Sequence, residues 1–158
     1  MKIAFYLTLL LVFFMTDAIG QAAPQLRDGV VVDEQGNLFT GTATLEITTE
    51  GKTQRRTIQA LNGLLNGSII FYHPSGYIEE KGNYKLGQKD GLWIQYSVSG
   101  NILGEAYYND GKKDGIWTVW DEQGTKRYHM VYSMGKKVDT WKMWDEHAVL
   151  VSERIYNE

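Results

Sequence analysis

Cysteine is absent from all 158 residues, which excludes disulfide bridges, thiolate nucleophiles and cysteine-ligated zinc. A bacterial lipoprotein signal is excluded on the same ground, since its lipid is carried on cysteine. Histidine is scarce: His73, His129 and His147 are the only three, and they form no HExxH or His-x-His spacing. No carboxylate-rich calcium loop, G-x-S-x-G elbow or phosphate-cradling glycine loop occurs either. Positive charge is not in excess. A formal net charge of −3 offers no attraction to a phosphate backbone, so no nucleic acid is expected as a partner. These absences together predict a protein that is not an enzyme and takes no metal or cofactor.

The one long apolar run is at the N-terminus. Lys2 precedes Ile3 to Met15, whose only clearly polar member is Thr8. A bilayer-spanning helix needs about 20 apolar residues, so this stretch is short for an anchor. It reads as a secretory signal helix over residues 1–20. The small residues Ala18 and Gly20 permit cleavage before Gln21, and Gly20 and Ala22 offer a second position. The mature protein is then expected in the periplasm or outside the cell; the alternative is an uncleaved N-terminal membrane anchor.

The chain as a whole is rich in glycine (17 residues) and in aromatics (13%), with proline only at Pro24 and Pro74. That mixture predicts many short strands joined by tight turns. Self-similarity sharpens the expectation. Tyr84, Tyr108, Tyr132 and Tyr156 recur every 24 residues, as do Trp93, Trp117 and Trp141. Gly63, Gly87, Gly111 and Gly135 form a glycine column in the same register. Gly67, Gly91 and Gly115 form a second, which Asp139 ends; Gly76, Gly100 and Gly124 form a third, which Ala148 ends. A further aromatic column runs Tyr72, Tyr96, Trp120 and Trp144. Each unit reads as two strands and two turns: Leu92 to Tyr96, a glycine-bearing turn to Asn101, and a return over Ile102 to Tyr108. Asp90-Gly91, Asp110-Gly111 and Asp114-Gly115 are expected in turns, where glycine accepts positive φ. Segments this short leave no room for crossover helices, so neighbours should pair antiparallel as a meander.

Residues 63–158 carry the repeat. Residues 21–62 follow it loosely, with longer strands expected over Thr42 to Thr48 and Thr53 to Leu61. Asp33-Glu34-Gln35-Gly36 echoes Asp121-Glu122-Gln123-Gly124 and marks a diverged first hairpin. Terminal repeats are usually atypical because one side has no neighbour, so this region is expected to cap the array. The whole is predicted to be an all-β, elongated antiparallel meander of stacked hairpins behind the signal helix.

The phrases Lys89-Asp90-Gly91-Leu92-Trp93-Ile94-Gln95-Tyr96 and Lys113-Asp114-Gly115-Ile116-Trp117-Thr118-Val119-Trp120, each followed by Gly and a closing Tyr, resemble the MORN repeat. They are most similar to its bacterial variant, Asp-Gly-x-Trp-x-x-Tyr, a glycine turn, then Tyr-x-x-Gly. The resemblance covers Gly63 to Tyr156. It implies a binding or scaffolding protein, and for the bacterial variant an antitoxin or immunity partner of a toxin. With a signal peptide, that toxin would itself be exported. Eukaryotic relatives of the repeat imply peripheral phospholipid binding as another role, and a structural part in an envelope assembly is a third.

Side chains alternate faces along a strand, so Trp93 and Tyr96, three apart, should point to opposite sides. Trp93, Trp117 and Trp141, with Tyr84, Tyr108, Tyr132, Tyr156 and the turn glycines Gly87, Gly111 and Gly135, are read as structural ladders, because cross-strand aromatic pairs stabilise small antiparallel sheets. Tyr72, Tyr96, Trp120 and Trp144 are the candidate row for contacting a protein partner. Lys85, Lys89, Lys112, Lys113, Lys136 and Lys137 gather near one set of turns, but Asp90, Asp110, Asp114 and Asp139 share them, leaving a net of +2. That is weak support for a membrane surface. Asp121, Glu122, Asp145 and Glu146 lie at the opposite turns.

Overall fold

The computed structural model describes residues 23–49 and 52–157. The expected signal helix lies outside the described residues, as do Glu50 and Gly51. Among the described residues all regular structure is β. A short hairpin of β1 (Gln25–Arg27) and β2 (Val30–Val32) precedes one antiparallel sheet. Its ten strands are β3 (Gly41–Thr49), β4 (Lys52–Leu61), β5 (Leu64–Tyr72), β6 (Ile78–Lys85), β7 (Gln88–Tyr96), β8 (Ile102–Asn109), β9 (Lys112–Trp120), β10 (Lys126–Ser133), β11 (Lys136–Trp144) and β12 (Leu150–Tyr156). Their spatial order is their chain order, from β3 at one edge to β12 at the other.

Two kinds of turn alternate. At one end of the strands the connections are two-residue loops with φ positive at both positions: Asn62-Gly63 (48° and 76°), Leu86-Gly87 (48° and 82°), Asp110-Gly111 (43° and 79°) and Met134-Gly135 (46° and 91°). This is the type I′ geometry, whose twist matches that of the flanking strands. It explains why the first glycine column is fixed in register. Successive turns are laced together: the amides of Gly87, Gly111 and Gly135 donate to the carbonyls of Leu65, Lys89 and Lys113 at 2.8, 2.8 and 2.7 Å.

The five-residue connections at the other end are closed by the side chain of their first residue where that residue is Asp. Asp121 Oδ1 accepts from the amides of Thr125 (2.8 Å) and Gln123 (3.1 Å). Asp145 Oδ1 accepts from Val149 and His147, both at 2.9 Å. Asp33 accepts from Asn37 at 2.8 Å, so the echo between Asp33 and Asp121 is a shared turn. These backbone donors hold the Asp33 and Asp145 carboxyls below the ordinary carboxylate range. A depressed folded-state pKa contributes stability that is present above the unfolded value of about 4 and is lost as pH falls through the folded value. Thermal stability of the wild type is therefore expected to hold down to about pH 4 and to fall below it. Melts of Asp145→Asn across that range should show a shallower acid decline; an identical decline would refute the assignment.

Within the strands, Asp90-Gly91 and Asp114-Gly115 depart from the expectation of turns. They lie inside β7 and β9, where the ladder slips. Between Lys81↔Ile94 and Asn83↔Asp90 the partner strand carries extra residues, and the same slip recurs between Ala106↔Trp117 and Tyr108↔Lys113. The Asp114 carboxylate there accepts the amide of Met134 at 2.9 Å, and Asn66 does the same for Leu86 at 3.1 Å. An Asp-Gly pair suits either a turn or a bulge, because both need a residue at positive φ; pairing with the adjacent strand decides between them.

The core sits at the N-terminal half. Val31, Leu45, Ile58, Ala60, Ile69 and Trp93 are buried together, with Phe39, Leu65 and Phe71 packed against them. The segment around Val31 is tied on by backbone bonds from Val31 to Gly63 (2.8 Å), Gly63 to Phe39 (2.8 Å) and Phe39 to Val31 (3.0 Å). Beyond β7 the sheet is one layer thick among the described residues, and β12 forms an open edge with Val151 and Ile155 exposed.

Candidate functional site: the two faces of the sheet

Register and alternation assign each side chain to a face. The first face carries the aromatic ladder. Tyr84, Trp93, Tyr108, Trp117, Tyr132, Trp141 and Tyr156 follow one another with ring centroids 5.0–6.2 Å apart in tilted or edge-to-face contact, the separation such pairs prefer. Each indole N–H donates to a backbone carbonyl beside the ladder slip: Trp93 to Asn83 at 3.1 Å, Trp117 to Tyr107 at 2.9 Å and Trp141 to Val131 at 3.0 Å. The tryptophans thus add a side-chain donor to the backbone at each irregularity of the ladder.

Lysines complete this face; the sequence predicts them in a basic row at the turns, not over the rings. Lys89, Lys113 and Lys137 place Nζ 3.6, 4.1 and 4.5 Å from the ring centroids of Trp93, Trp117 and Trp141, within cation–π range. Arg56 lies 5.0 Å over Phe71 and extends the pattern to β4. The signal was available: Lys precedes Trp by four residues in three successive units, a spacing that returns to the same face of a strand. Lys85 pairs with Asp110 at 3.1 Å. Four of the six lysines of the basic row are thereby engaged within the chain.

Burial along the ladder is uneven. Trp93 is 2% exposed, whereas Trp117 and Trp141 are half-buried. The neighbours explain this. In the column Ile58, Gly82, Ala106 and Met130, Gly82 is the small residue beside Trp93, and a Cβ built there would fall 2.6 Å from the indole Cγ and closer still to two other ring atoms. Trp93 lies flat on bare backbone. Burial also pushes the phenols of Tyr84 and Tyr108 up.

On the second face, direct pairs form one row across all ten strands: Thr44, Thr57, Ile70, Lys81, Ile94, Glu105, Thr118, His129, Lys142 and Glu153. Two residues along lie Tyr72, Tyr96, Trp120 and Trp144, all half-buried. Cations stand over three of them: Arg55 at 4.5 Å from Tyr72, Lys81 at 5.3 Å from Tyr96 and Lys126 at 5.9 Å from Trp144. Tyr72 also shares a hydrogen bond with Thr57 at 3.2 Å. This half of the face is polar, with threonine pairs at 3.1 Å (Thr44 and Thr57) and 2.8 Å (Thr48 and Thr53). From β7 onward its character changes. Leu92, Tyr107, Ile116, Val131 and Ile155 make an aliphatic and aromatic row on the far side of the central one, with Tyr107, Ile116 and Ile155 exposed. Ile102 and Leu150, opposite Tyr96 and Trp144, are exposed too.

The histidines are not brought together. His73 Nε2 lies 3.1 Å from the Tyr96 carbonyl, His129 is in the central row of the second face, and His147 is in an exposed turn beside Glu146. No group of three or more metal-ligating side chains occurs among the described residues. No protein-family model matches the chain, and no curated protein matches it.

Proposed function

We propose that this is a MORN-type repeat protein, exported and non-enzymatic, that binds another protein through the second face of its sheet. One observation carries the reading: from β7 to β12 two rows of large apolar side chains flank a polar row on a face over which no other part of the described chain packs. Exposed apolar area of this extent, rimmed by polar groups, marks interaction surfaces. The first face is otherwise occupied, since its rings and lysines satisfy one another. That division also weakens a membrane role, because the lysines that would meet anionic lipid are spent on indoles and on Asp110.

The test uses Trp120→Ala and Trp144→Ala. Both rings are half-buried on a single-layer sheet, so the variants are expected to keep the wild-type circular dichroism spectrum while losing a protein partner captured by the mature chain from its native envelope. Retention of that partner by both folded variants would refute the reading; loss of the fold in both would assign the row to the core.

A further inference from the structure

The central row of the second face carries two opposite charges, Glu105 and Lys142, that cannot meet each other within one chain. Glu105 is on β8 and Lys142 on β11, three strand spacings apart, or about 14 Å at about 4.8 Å per spacing. Neither forms an ion pair among the described residues. Glu153, directly opposite Lys142 on β12, makes no contact with it within 4.0 Å. Glu105 thus has no cation among its direct cross-strand partners, Ile94 and Thr118, and Lys142 has only Glu153 at the edge strand, without a closed ion pair.

We propose that the second face binds a second copy of this chain, two sheets packing face to face about a two-fold axis that runs parallel to the strands between β9 and β10. The axis keeps each row at its own height, so β8 covers β11 of the partner subunit and β9 covers β10. Glu105 then faces Lys142 of the partner subunit, twice by symmetry. Around this centre the other rows match: Ile116 meets Val131 of the partner subunit, Leu92 meets Ile155 of the partner subunit, and Ile102 meets Trp144 of the partner subunit. Trp120 meets Lys126 of the partner subunit, a cation over an indole. Two places match less well: Glu153 falls against Ile94 at the open rim, and Thr140 falls against Tyr107. Aligned packing of this kind is how two twisted sheets bury their inner faces, and an isologous contact closes without further growth. The charges also oppose two neighbouring settings. Moving the axis onto β10 sets Glu105 against Glu153 of the partner subunit, and moving it between β8 and β9 sets Lys81 against Lys142 of the partner subunit; like charges in either place oppose association.

The inference rests on the reading of this face as a protein-binding surface, and charge reversal tests it separately. Sedimentation velocity over a concentration series should give a dimer for the wild-type chain. Glu105→Lys and Lys142→Glu should each raise the dissociation constant about tenfold or more, because each creates two like-charge contacts. The double variant should restore the dimer. Ile116→Ser, at an exposed position, should weaken it while leaving the circular dichroism spectrum unchanged. A monomeric wild type, single variants as dimeric as the wild type, or a double variant that stays monomeric would each overturn the proposal. If the wild type is monomeric yet Trp120→Ala loses a captured protein, only self-association falls; if the tryptophan variants also retain every partner, both readings fall.

Discussion

Truncating Trp93 to alanine is expected to cost about 3–5 kcal/mol, the range for removing a large buried ring, with the melting temperature falling by roughly 10–20 °C for a chain of this size. Several links converge on that ring. It is 2% exposed, it stands between Tyr84 and Tyr108 at 5.3 and 6.2 Å, and it joins the ladder to the cluster of Val31, Leu45, Ile58 and Ile69. Its loss also removes the N–H that the Asn83 carbonyl accepts at 3.1 Å. Trp141→Ala should cost visibly less, because Trp141 is half-buried and lies at the thin end of the sheet. Thermal or urea denaturation compares them directly. Equal losses would mean that the ladder is uniform and that burial at Trp93 adds nothing.

Gly82→Ala should be the next most damaging change, at about 1–3 kcal/mol for an overpacked site. Its backbone conformation is open to any residue, so the whole effect is steric: the added Cβ would occupy the position of the indole. A double-mutant cycle isolates this. Introduced into a Trp93→Ala background, Gly82→Ala should cost little, giving a coupling of at least about 1 kcal/mol between the two sites. An unchanged cost in that background would show that Gly82 serves something other than the tryptophan.

The fold class and the order of strands were legible in the sequence because turn chemistry and face alternation repeat every 24 residues. Gly87, Gly111 and Gly135 mark type I′ turns, and Trp93, Trp117 and Trp141 form the expected ladder with the four tyrosines. The register shift at Gln95/Tyr96 puts its extra residue on β8, so β7 itself keeps alternating and the two columns separate onto opposite faces. Other features were hidden because they depend on pairing with the adjacent strand. Asp90-Gly91 reads equally as a turn or as a bulge until its partners on β6 are known. Gly82 stands outside every glycine column, since its role comes from one indole and not from a recurring turn. Lys89, Lys113 and Lys137 look like solvated turn charges in one dimension; only the sheet brings them over the rings. Glu105 and Lys142 are 37 positions apart and become related only through the central row of direct pairs.

The lacing of each type I′ turn to the preceding hairpin has a consequence for how the chain is assembled. Every strand bonds only to the strands before and after it in the chain, so ordering a new hairpin closes a loop of modest length and little entropy is lost at each step. Such an array can zip from any hairpin outward, and lengthening it by one whole unit disturbs only the junction where the unit enters. Length is thereby a property that can drift by insertion or loss of 24-residue steps, while the character of each face is carried unchanged from one step to the next.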